Sequence, residues 1–459
     1  MTTGPAAVSA LDSTMLGSLH TSQDLRHVLG ERGLLDRFLR VETALAAAQA
    51  DAGLIPAETP IQLALVSIDD LDMTRLATRA AEVGYPIVGL VEQLAEVMPD
   101  GLGEYAHWGA TTQDIMDTAL VLQLRDALKL IEADLVQLVR GLHRLADAHR
   151  DTPLVGRSQL QQALPTTAGH RVAGWLAPLL RHLDRLAELR PRVEVVQLGG
   201  AVGTLASMAP HGLTVRANLA EQLGLGNPSI SWHSTRDRLV EVVAWTAQVT
   251  SSLAKIGLDV ALSAQTEVAE LSEGSPGVSS TMPHKANPIL SQQLIRAARL
   301  TRTHLDLALD GAIADHDRAT AAWSLEWHAV APALAVAGGA AAAGVDLIDG
   351  LQVHAAAMAD NLDRTEGLIM AEAVMMHLAP ELGRQGAHDT VAGMVKDSLD
   401  TGRPFAQIIA TDARLTGKAL DPAAYAGHAS DQVDAVLAAA DRQLSQLNTT
   451  NSNRKDPSL

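Results

Sequence analysis

Between Gly277 and Pro288 the chain reads Gly-Val-Ser-Ser-Thr-Met-Pro-His-Lys-Ala-Asn-Pro, which places two hydroxyls, Ser279 and Ser280, near the cation Lys285 and the amide Asn287. That set can do carbon-acid chemistry. A serine takes a proton from carbon only as its alkoxide, and a nearby ammonium with backbone N–H groups stabilises the alkoxide and the oxyanion that develops on the substrate. Pro276, Gly277, Pro283 and Pro288 prevent a helix from running through the segment, so an exposed loop between helices is expected. Functional side chains concentrate on such loops.

A second candidate is His107-Trp108-Gly109-Ala110-Thr111-Thr112-Gln113-Asp114. Thr111 and Thr112 stand at the start of a long helical stretch, where hydroxyls and free N–H groups either cap the helix or hold an anion. In Trp232 to Glu241, Arg236 and Arg238 could fork onto a carboxylate or form a solvated helix start. The chain has no cysteine, which excludes disulfides, thiolate catalysis and Cys-ligated metal. No His pair at helical spacing with a carboxylate suggests a metal site. Gly199 to Thr204 carries glycines but lacks the Lys and the strand-then-helix context of a phosphate loop, so no cofactor is expected.

Long helices must carry these loops. Ala and Leu dominate the 459 residues and aromatics are 2%, which favours a nearly all-α protein. Segments Leu34 to Ala52, Thr112 to Ala148, Pro165 to Leu189, Ser234 to Ser272 and Ile289 to Leu309 have few internal breakers and read as helices. Breaks at Met98 to Gly103 and near Gly350 divide the chain into an N-terminal helical domain (1–105), a central bundle (106–350), a C-terminal helical domain (351–447) and a disordered polar tail (448–459).

A net charge of −18 without a basic stripe argues against a nucleic-acid partner. Any anion site must gather its own cations locally. Met1 to Ser13 lacks the cationic start and apolar core of a secretory signal, so the expected location is cytoplasmic. Ala329 to Val345 is uncharged but rich in Ala and Gly, with Pro332 inside. A core helix is expected there, not a membrane span.

The string Ser-Ser-x-Met-Pro-x-Lys-x-Asn-Pro resembles the signature loop of the fumarase/aspartase superfamily, and the similarity extends from about residue 20 to 440. Segments 107–114 and 156–167 look like that superfamily's other two signature segments. Segments 232–241 and 316–327 are similar to its 3-carboxy-cis,cis-muconate cycloisomerase subgroup. The resemblance implies a three-domain protomer with a central five-helix bundle, a homotetramer with a twenty-helix core, and active sites built from three chains. It implies Ser279, Lys285 and Asn287 as catalytic residues. Thr111, Thr112, His107, Ser158, Gln159, Gln162, Arg236, Arg318, Ser280 and Met282 are the implied contacts to a small dicarboxylate substrate.

One departure bears on mechanism. Fumarase and argininosuccinate lyase carry a histidine where this chain has Gln159. Adenylosuccinate lyase and many cycloisomerases carry one where it has Gln162, while aspartase has glutamine at the Gln159 position. Glutamine hydrogen-bonds but cannot deliver a proton. A leaving group that needs no protonation, such as an ammonium-type amine or a nitro group, fits that loss. His233, His284 or His316 could alternatively supply the proton. Val278 for glycine, Ala286 for a basic residue and Leu325 for histidine are further departures that bear on substrate identity. The expected reaction is anti elimination from a succinate-type dianion with C–N cleavage. A muconate cycloisomerase is the second reading and a non-catalytic protein on this fold the third.

Overall fold

The computed structural model describes residues 8–278, 281–319, 321–415 and 421–453. Its helices, in chain order, are α1 (Gln23–Leu29), α2 (Glu31–Asp51), α3 (Thr59–Leu63), α4 (Met73–Val83), α5 (Ile87–Val97), α6 (Thr112–Ala148), α7 (Ala168–Val193) and α8 (Gly212–Leu223). There follow α9 (Asp237–Ser263), α10 (Ile289–Gly311), α11 (Ala322–Gly350), α12 (Ala355–Asp363), α13 (Ala371–Thr401), α14 (Phe405–Ile409) and α15 (Ala429–Asn453). The strands are short: β1 (Pro153–Ser158) with β2 (Gln161–Thr167), β3 (Leu271–Ser272) with β6 (Gln352–Val353), and β4 (Gly277–Val278) with β5 (Ala286–Asn287). All three pairs are antiparallel.

The chain forms two compact units, one of residues 1–134, 182–251 and 296–342, the other of 135–181, 252–295 and 343–459. The division falls inside α6, α7, α9, α10 and α11, the long helices between Thr112 and Gly350. In the first unit α2 turns Leu35, Phe38, Leu39, Val41 and Leu45 inward at helical spacing, onto a core that includes Leu63, Leu90, Leu94, Ile115 and Leu219. Each such side chain contributes about 1.5–3 kcal/mol when fully buried. In the second, Val374, Leu378, Val391, Phe405 and Ile409 form a separate core.

The Ala/Gly-rich stretch lies within α11, whose apolar window is 72% buried inside the structure. Its small residues permit a close approach. A Cβ on Gly338 would lie 2.1 Å from Leu25 Cδ1, and one on Gly339 would lie 2.2 Å from the His20 carbonyl oxygen.

Two helix expectations need correction. The segment from Pro165 does not begin a helix, because Pro165, Thr166 and Thr167 pair with Val155, Leu154 and Pro153, and α7 starts at Ala168. The segment from Ser234 is helical only over Asp237–Ser263. Ala269 then takes a left-handed backbone (φ 53°) and the chain enters β3.

Candidate active site

In the first unit the site is organised by a buried carboxylate. Asp114, in the first turn of α6, accepts the N–H groups of Thr111 (3.0 Å), Gly199 (2.8 Å) and Gly200 (2.9 Å), and stands 2.7 Å from His233 Nε2. Three separate turns are thereby fastened together. Arg318 then spans two of them, donating to Thr111 Oγ1 at 2.7 Å and to the Ala201 carbonyl at 2.9 Å. Thr111, Thr112 and Arg318 are all half-buried, so a hydroxyl and a guanidinium are presented together at a helix start. A carboxylate is favoured there by both charge and hydrogen bonding.

His107 opens the same turn in a left-handed conformation (φ 59°). Glu42 from α2 grips it twice, accepting the backbone N–H at 3.1 Å and lying 2.7 Å from Nδ1. Burial alone would lower the His107 pKa, but the charge and hydrogen bond of Glu42, with Asp114 beyond it, raise it. The ring is therefore held toward its cationic form, a second positive group on the turn that bears Thr111.

Arg236 is not available as a substrate clamp. Its Nε and Nη2 donate to Glu326 at 2.7 and 2.5 Å, and its Nη1 and Nη2 donate to Asp117 at 2.7 and 2.9 Å. The guanidinium also sits 4.8 Å over the Trp232 ring and is almost wholly buried. Every donor direction is used inside the protein. Burial opposes its charge, but the two carboxylates outweigh that and raise the Arg236 pKa. Burial raises that of Glu326, against the lowering effect of Arg236. His233 is likewise enclosed, with Nδ1 3.1 Å from Ser231 Oγ and Nε2 on Asp114, so it has no free ring nitrogen to protonate a leaving group. His284 and His316 are exposed.

In the second unit, β1 and β2 form a hairpin whose two-residue tip is Gln159-Leu160, with φ of 53° and 63°. Such a tip normally carries Asn-Gly, since both positions need positive φ, and two ordinary residues there hold backbone strain. Ser158 and Gln159 are exposed, and Leu160 is 79% exposed. Gln162 lies opposite Arg157 in the ladder and its buried Oε1 has no hydrogen-bond partner among the described residues. The hairpin borders a cleft of about 1020 Å³ lined also by Trp175, Lys255 and Leu262.

The signature loop is closed by its own stem, Gly277 opposite Asn287 and Val278 opposite Ala286. Gly277 is required, because a Cβ would come within 2.4 Å of Ile289 Cγ2. Within the loop the Lys285 N–H donates to the Met282 carbonyl at 3.0 Å, and the side chains of Met282 and Lys285 are exposed. Asn287 is half-buried in the stem. Ser279 and Ser280 lie outside the described residues.

Residues 20–300 match the family model described as Lyase, and residues 367–436 match Adenylosuccinate lyase C-terminus. The chain belongs to the fumarase/aspartase superfamily of lyases. A 3-carboxy-cis,cis-muconate cycloisomerase of Pseudomonas aeruginosa is 41% identical over 430 residues, 90% of this chain and 94% of that protein. Nitrosuccinate lyase of Streptomyces davaonensis is 34% identical over 461 residues, 95% of this chain and 97% of its own. Among solved structures, 3-carboxy-cis,cis-muconate lactonizing enzyme from Pseudomonas putida gives a TM-score of 0.88 at 39% identity, covering 93% of this chain and 98% of the other. The all-α fold and the superfamily implied by the signature segments are thereby established for this lyase.

In the sequence Asp114 reads as a plausible cap residue, three residues after Thr111, and not as the group that joins three turns. Glu42 had no local signal.

Proposed function

We propose that this superfamily lyase catalyses anti β-elimination from a succinate-type dicarboxylate and that the bond broken is C–N. Ser279, as the alkoxide, removes the proton α to one carboxylate. The electron pair is held as an aci-carboxylate dianion by Lys285, Asn287 and loop N–H groups, then forms the C=C bond as the nitrogen group leaves with the C–N electrons. An ammonium substituent departs as neutral amine and a nitro substituent as nitrite, giving fumarate in either case. In this reading segments of three chains build each site: Thr111, Thr112, Arg318 and His107 bind carboxylate, and Ser158, Gln159, Gln162, Ser280 and Met282 line the remainder. A homotetramer in the cytoplasm is part of the same reading.

The observation that supports the choice of leaving group is Gln162, an amide that cannot deliver a proton at the hairpin position where a proton donor is expected, with His233 locked on Asp114. The likeness to nitrosuccinate lyase supports it. Ultraviolet absorbance on nitrosuccinate, aspartate, argininosuccinate, adenylosuccinate and 3-carboxymuconate tests it. Fumarate release from the first two supports C–N lysis without a general acid, while turnover of 3-carboxymuconate alone replaces it with the cycloisomerase reading, which the 41% identity to that enzyme favours. Ser279→Ala is expected to abolish turnover with the assembly intact; near wild-type kcat in that variant refutes the serine-base mechanism.

A further inference from the structure

We propose that Glu270 and Glu273 are positioning residues that set the spacing between the β1–β2 hairpin and the signature loop. Both are buried carboxylates three residues apart on one extended segment. Glu270 accepts a bidentate pair from Arg157, at 2.8 and 2.6 Å, and an Asn361 Nδ2 donor at 2.9 Å, with Arg171 at 3.6 Å. Arg157 is the ladder partner of Gln162, so this ion pair acts on the strand register that places that amide. Glu273 accepts the N–H groups of Leu290 (3.1 Å) and Ser291 (2.8 Å) and the Ser291 hydroxyl (2.7 Å). It thus caps α10 from a distant part of the chain, immediately beyond Asn287 and Pro288, where the loop's stem ends.

The two carboxylates act in opposite directions for a simple reason. In an extended chain, residues an odd number apart face opposite sides, and three steps span about 10 Å. The intervening Leu271 and Ser272 are fixed in β3 by pairing with Val353 and Gln352, and Ser272 Oγ lies 2.8 Å from His354 Nε2. Neither end of the spacer is free to slide. Loss of either carboxylate leaves both segments folded but changes where one stands relative to the other. Displacements on the order of 1 Å in a reacting constellation cost up to ~10²-fold in rate.

The inference rests on the hairpin and the loop both belonging to the proposed site. Two double-mutant cycles test it. Glu270→Gln should lower kcat roughly 10- to 100-fold with KM changed less than about threefold, and should cost less than about twofold once Gln162→Ala has removed the group being positioned. Glu273→Gln should behave in the same way against Asn287→Ala. Additive losses in both cycles, or losses confined to KM, overturn the proposal. Hydrogen exchange supplies a readout that needs no activity. Glu270→Gln should raise exchange in the peptide spanning 154–166 and spare 286–295, and Glu273→Gln should do the reverse. A uniform rise in both peptides overturns the spacer even if the variants are inactive. If no dicarboxylate is turned over by the wild type, the functional reading fails while the exchange experiment still decides the spacer.

Discussion

Replacing Arg236 with methionine separates a structural ion network from a substrate clamp. Methionine approximates the volume of the arginine stem but removes every donor that now reaches Asp117 and Glu326. Two carboxylates, each almost fully enclosed, are then left facing each other without a cation. Breaking a buried pair from one side costs about 3–5 kcal/mol, because the surviving charge has neither water nor partner. Glu326 responds by binding a proton: without Arg236 to oppose burial its pKa in the folded variant rises further above the unfolded value, so the defect is relieved as pH falls and deepens as pH rises. Wild-type Glu326 already leans this way, its carboxyl raised by burial against the opposing pull of Arg236. Urea unfolding at fixed protein concentration, followed by circular dichroism at mildly acid and mildly alkaline pH, reads the effect. The expected result is a loss of about 3–5 kcal/mol at the higher pH that shrinks at the lower. The triple variant Asp117→Asn, Arg236→Met, Glu326→Gln should recover much of it, since no unpaired charge remains. A loss under about 1 kcal/mol, or one independent of pH, refutes the network account. An increase in KM at unchanged stability would restore Arg236 to the substrate.

Two further outcomes follow from the cradle and the hairpin. Gln162→His should not raise turnover of the true substrate; a gain of about tenfold or more in kcat means that a proton donor was missing after all. For His107 the folded pKa is raised, so its contribution to stability and to carboxylate binding is complete below the ordinary histidine value and is lost as pH rises through the raised one. KM for a dicarboxylate should climb over that alkaline limb in the wild type, and His107→Gln should flatten it. Superimposable KM profiles for the two proteins would remove His107 from the anion site.

How far the sequence reveals this molecule depends on whether the relevant forces are local. Helix α6 runs from Thr112 to Ala148 as its uninterrupted pattern predicts, since helix punctuation is written within a few residues of each end. The β1–β2 hairpin escaped because its tip, Gln159-Leu160, adopts two positive φ angles without the Asn or Gly that normally signals them. The turn between α9 and β3 escaped for the related reason that Ala269, and no glycine, takes the left-handed conformation there. Chemistry-bearing types clustered in sequence marked the candidate segments. The partners that decide what those residues do were not legible there: Arg236 meets Asp117 and Glu326 across 119 and 90 residues of chain. An arginine beside an aspartate in sequence reads equally as clamp, surface pair or core network until the fold supplies its neighbours.

Those distant partners also resolve the oddity of a chain with net charge −18 in a superfamily that binds carboxylates. Glu42, Asp114, Asp117, Glu270, Glu273 and Glu326 are all buried, and each is an acceptor for groups in or beside a candidate site segment. A buried carboxylate is stable only when donors converge on it, so each one dictates the geometry of the backbone N–H groups and side chains around it. The acid excess is thus partly an internal scaffold. Arg236 and Arg157 are held by that scaffold, whereas Arg318 donates to a hydroxyl and a carbonyl among the described residues and Lys285 stays exposed. The chain's overall negative charge is no obstacle to a local anion site, because charges beyond about 10 Å are largely screened at ordinary ionic strength.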